Sequence, residues 1–93
     1  MSVAALIEKK LEAALEPVRL EIVDESHLHA GHAHAPEGGE SHFHVTVAAA
    51  AFEGKTQVAR QRKVYQILAD ELAGPVHALS LSTLTPDEAE RAT

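Results

Sequence analysis

Two stretches of alternating apolar residues, one from Val18 to Asp24 and one around Phe43, Val45 and Val47, flank a segment with no period at all, residues 25–41. Alternation marks a strand with one buried face, so Val18, Leu20 and Ile22 define one face of a first strand. Phe43, Val45 and Val47 do the same for a second, with His42, His44 and Thr46 on its milder face. Apart from Leu28, the intervening segment is Glu, Ser, His, Ala, Gly and Pro, and its glycines and proline make it a loop. Of the chain's seven histidines, six fall between His27 and His44. A loop of this length in a compact domain is usually functional or disordered.

The rest of the chain supplies the elements that must cover these strands. Behind Ser2, a residue suited to an N-cap, Val3, Leu6, Ile7, Leu11, Ala14 and Leu15 recur at helical spacing, and Pro17 stops that helix. Ala48 to Ala51 carries little strand preference, so the second strand should fade there, and Phe52-Glu53-Gly54 reads as a turn. Thr56 can cap a second helix with Val64, Ile67, Leu68 and Leu72 inward and Tyr65 at the border, ended by Gly74-Pro75. Val76 to Leu84 is a third strand with Leu79 and Leu81 on one face. Thr85-Pro86-Asp87-Glu88 then has the pattern of a capping box with proline at the first helical position, opening a short last helix.

The order α-β-β-α-β-α implies an α+β fold, a single domain over residues 1–93. Directly joined strands pair antiparallel, whereas a helical crossover joins parallel neighbours. The expected sheet is therefore three-stranded and mixed, with helices on one face. If the third strand runs parallel to the second, their N-terminal ends share an edge. The histidine loop arrives at one of these ends and His77 stands at the other. Alternation would put His77 on the side of Leu79 and Leu81, at the mouth of the core, where a backbone carbonyl could equally well satisfy it.

Composition excludes several functions. The 93 residues include no cysteine, so the chain forms no disulfide and offers no thiolate to zinc or iron. A net charge of −6 opposes phosphate binding over the whole surface. Lys55, Arg60, Arg62 and Lys63 nevertheless gather half of the eight basic residues near the start of the second helix. Their plain reading is a solvated helix face with aliphatic stems over the core. No apolar run has membrane-spanning length and the N-terminus lacks a signal-peptide layout, so a soluble, cytoplasmic protein is expected. Neither a nucleophile beside a base nor a phosphate loop is present, and an enzyme is not expected. His29-x-x-His32-x-His34 is dense enough to bind borderline metals through neutral imidazoles, although histidine is also ordinary filler in a solvated loop. His42 and His44, on the milder strand face, are expected in solvent.

Val23-Asp24-Glu25-Ser26, Glu40-Ser41-His42-Phe43, Phe52-x-Gly54, Arg60-x-Arg62-x-x-Tyr65 and Val76-His77-Ala78-Leu79, in this order, together resemble the BolA family. The resemblance implies a fold related to the type II KH domain. It also implies a heterodimer with a monothiol glutaredoxin around a shared 2Fe-2S cluster, glutathione being supplied on the partner side, in iron-sulfur cluster trafficking or iron regulation. The family's ligand histidine before the third strand maps onto His77. The second ligand, a loop His or Cys, maps onto His29, with His32 and His34 as alternatives because this loop is longer and richer in histidine. The free form is then a monomer or weak homodimer. The family's link to transcription implies a second role, DNA binding through Lys55, Arg60, Arg62 and Lys63. Two departures bear on that role: Gln61 stands where many relatives have a histidine, and the glycine-x-x-glycine clamp of KH domains is missing.

Overall fold

The computed structural model describes residues 2–25, 42–74 and 76–91. Helix α1 (Val3–Leu15) starts at Ser2, whose side chain accepts a 3.1 Å hydrogen bond from the Ala5 N–H. It ends at Glu16, which takes a left-handed conformation (φ 47°) just before Pro17. Strand β1 (Arg19–Asp24) pairs antiparallel with β2 (His42–Ala48), and β2 pairs parallel with β3 (Ala78–Leu84), giving the sheet order β1-β2-β3. A short 3-10 turn (Ala50–Phe52) leads to Gly54, whose φ of +75° suits a residue without a side chain. Helices α2 (Gln57–Ile67) and α3 (Ala69–Ala73) form the crossover, and α4 (Pro86–Arg91) closes the described chain.

The alternating residues of the central strand bury, and Leu20 and Ile22 of β1 do so in part. Phe43, Val45 and Val47 from the central strand meet Ile7, Leu11 and Leu15 of α1, with Val64, Leu68 and Val76 from the crossover. Leu20, Ile22, Leu79 and Leu81 pack around them from the outer strands. Phe52 is fully buried, so the turn that begins with it is anchored in the core. Among the described residues, Lys10 ties α1 to α3: its Nζ lies 2.8 Å from a carboxylate oxygen of the buried Glu71. Chiefly through that hydrogen bond, the Lys10 ammonium is held above the ordinary lysine value.

Four sequence expectations need correction. Val18 is two-thirds exposed (67%) and precedes β1, although its N–H still donates to the Ala48 carbonyl. Ala14 is also exposed, so the buried stripe of α1 is narrower than the apolar pattern. The second helix is not continuous, since Leu68 (φ −101°, ψ 20°) leaves helical backbone between α2 and α3. The hydrogen bonds Leu68 N–H to Val64 and Leu72 N–H to Leu68 persist, so the chain bends rather than unwinds. That bend seats Leu68 in the core while Glu71 meets Lys10. Lastly, Val76 and His77 are not part of the third strand. The Val76 N–H donates to the Glu71 carbonyl at the end of α3, and pairing with β2 begins only at Ala78.

Candidate metal centre

Parallel pairing does bring the two strand beginnings together. His42 opens β2 opposite Ala78, and His77 immediately precedes that residue. The rings of His42 and His77 stack with centroids 6.2 Å apart and planes 25° from parallel. His77 is exposed and His42 half-buried. The expectation that His77 sits at the mouth of the core is thus corrected. Because it lies just outside the strand, strand alternation does not govern its side chain, and its ring reaches His42.

His44 is likewise half-buried, not simply solvated, and its Nε2 lies 3.4 Å from Ser82 Oγ across the β2-β3 pair. His29, His32 and His34, the loop candidates, lie outside the described residues. Among the described residues, no group of three or more His, Cys, Asp or Glu side chains is placed to hold a metal ion. What the described residues offer is a pair of neighbouring imidazoles, one open to solvent, which can donate nitrogen to a borderline metal whose other ligands come from elsewhere. The sequence pattern missed His42 as part of this edge. The signal was available in the parallel pairing, which places the first residue of the second strand beside the start of the third.

The basic residues divide. Lys55 and Arg62 are exposed and Lys63 half-exposed, but Arg60 is buried. Its Nη1 donates to the Thr83 carbonyl at 3.1 Å and to Glu88 Oε1 at 2.7 Å, and its Nε donates to the Lys55 carbonyl at 3.0 Å. Gln57 joins the same cluster, accepting a 2.8 Å hydrogen bond from the Thr83 hydroxyl. Glu88 also closes the capping box, accepting from the Thr85 N–H while its own N–H donates to Thr85 Oγ1. The hydrogen bond from Arg60, followed by that from the Thr85 backbone, holds the Glu88 carboxyl below its usual value. Arg60 therefore joins α2 to β3 and α4, and its guanidinium is occupied within the fold.

These features agree with the comparisons. The family model for BolA-like protein matches residues 11–88. The BolA domain of SufE1 from Arabidopsis thaliana superposes with a TM-score of 0.84 at 44% identity, covering 95% of this chain and 96% of that one. BolA1 from Mus musculus gives 0.82 at 42% identity, covering 97% and 70%. In sequence, the DNA-binding transcriptional regulator BolA of Escherichia coli is 46% identical over 97% of this chain and 82% of its own length. SufE-like protein 1 of Arabidopsis thaliana is 46% identical over 88% of this chain, which spans only 23% of that protein's length. The sheet, the helices and these matches define a small α+β protein with a mixed three-stranded sheet. The chain belongs to the BolA family. Among the described residues, no helix is long and apolar enough to cross a membrane.

Proposed function

We propose that this chain contributes histidine ligands to a 2Fe-2S cluster shared with a monothiol glutaredoxin, in iron-sulfur cluster trafficking or iron regulation. The observation that carries this reading is the position of His77, exposed at the strand-end edge of a BolA-family fold, with its ring open to a second molecule. His77 would hold one iron position together with His29, or with His32 or His34 in its place. A chain without cysteine needs thiolates from its partner, here a glutaredoxin cysteine and glutathione. When bound, such a cluster supplies one-electron chemistry at a potential raised by imidazole ligation relative to thiolates alone. Anaerobic reconstitution with a monothiol glutaredoxin and glutathione tests the reading. Visible circular dichroism should show a spectrum distinct from that of the glutaredoxin homodimer, and an unaltered homodimer spectrum would refute it.

A second reading, a DNA-binding regulator, is favoured by the exposed side chains of Lys55 and Arg62 and by similarity to the DNA-binding transcriptional regulator BolA of Escherichia coli. The burial of Arg60 reduces that surface to Lys55, Arg62 and Lys63. Replacing Arg62 and Lys63 together by alanine tests it without disturbing the buried cluster. A salt-sensitive duplex-DNA mobility shift should be lost, because phosphate contacts set both affinity and its salt dependence. A shift that survives the double substitution excludes these residues.

A further inference from the structure

We infer that His42 and His77 form a two-imidazole site for a borderline divalent cation such as zinc, nickel or copper(II), held by this chain without a partner. The chemistry is that of neutral imidazole, the commonest nitrogen donor to these ions. Metal–nitrogen bonds of about 2.0–2.1 Å at a tetrahedral angle place two ligand rings with centroids about 5 Å apart. The observed 6.2 Å is within about 1 Å of that spacing. The rings now stack, so binding requires each to turn a nitrogen toward a common point. His77 is exposed and precedes the strand, so rotation about its side-chain bonds meets little packing.

The backbone beneath the pair is well fixed. His42 is the first residue of the central strand, paired on one side with Ala78, while its carbonyl accepts a 2.7 Å hydrogen bond from the Glu25 N–H on the other. With one ligand position on the central strand and the other one residue before its parallel neighbour, the pair loses less freedom on closing on an ion than two loop residues would. Glu25, whose N–H donates to the His42 carbonyl, brings a carboxylate-bearing residue to the same edge, and negative charge there favours a cation. Water completes the coordination. An ion seated there occupies the His77 ring and excludes any other metal from it.

The test uses the full chain with His27, His29, His32 and His34 replaced by asparagine, which leaves His42, His44 and His77 as its only imidazoles. Zinc is added with no glutaredoxin present, so the result is independent of whether the cluster reading holds. Nitrogen-15 spectra of the imidazole rings should show His42 and His77 shifting together, saturating at one equivalent, while His44 stays unmoved. Adding His42→Ala should weaken zinc binding about tenfold or more, and His77→Ala should do the same. The amide spectrum reports that each variant remains folded. Absence of zinc binding, a stationary His42 ring, or unchanged affinity in His42→Ala overturns the proposal. The ring spectra of the chain that retains His42 decide the matter even if His42→Ala does not fold.

Discussion

Replacing His77 by alanine should abolish the visible circular dichroism of the complex reconstituted with glutaredoxin, while leaving the free chain as stable as before. The two halves of that result have separate physical grounds. His77 is exposed and lies outside the sheet hydrogen bonds, so its removal should change unfolding free energy by no more than about 0.5 kcal/mol, the usual range for such surface positions. The cluster, by contrast, would lose an imidazole that the cysteine-free chain cannot replace with a thiolate. Urea unfolding of the free variant and spectra of the mixed complex therefore read different properties. Retained visible bands would remove His77 from the ligand set and, with it, the main support for the shared-cluster reading.

The opposite pattern is expected at Arg60. Alanine there removes hydrogen bonds to Glu88 and to the carbonyls of Thr83 and Lys55, together with the packing of the aliphatic stem. A loss of about 2–3 kcal/mol follows from deleting a buried, charge-assisted cluster. That is a large fraction of the ~5–15 kcal/mol typical of small proteins. The pH dependence gives a second signature. Because the folded Glu88 carboxyl sits below its ordinary value of 4.5, its contribution is fully present above that value. It is lost as pH falls through the lowered folded value. In Arg60→Ala this part of the acid destabilisation should shrink, as measured by urea midpoints at pH 6 compared with pH 3, roughly spanning that window. Equal acid sensitivity in both proteins would show that the pair does not govern Glu88. Any DNA-binding loss in an Arg60 variant would, for the same reason, first have to be separated from unfolding.

Much of the fold was legible because its signals are local. Ser2, Thr56 and the Thr85/Glu88 box all cap helices as their positions suggested. Alternation marked the buried face of β2 and, in β1, the partly buried Leu20 and Ile22, and the helical crossover implied the parallel register that brings His77 beside the second strand. What could not be read depended on contacts between distant residues. A charged residue in an amphipathic helix reads as surface. Arg60 is buried only because Thr83 and Glu88, far along the chain, converge on it. The bend at Leu68 similarly accompanies the meeting of Glu71 with Lys10. At the candidate site, topology indicated the edge correctly, but alternation was extended one residue too far. His77 belongs to the approach to β3, so it meets His42 and not the core.

The parallel pairing of β2 and β3 has a thermodynamic corollary. Their beginnings carry the histidines, and the end of β3 carries the Arg60 cluster, separated by a strand of seven residues, about 20 Å. Perturbations so far apart and without shared partners should add rather than couple. The histidine end can therefore open, exchange ligands or accept substitutions without loosening the opposite end. In amide exchange, the two ends should appear as separate cooperative units, the cluster end opening only with global unfolding.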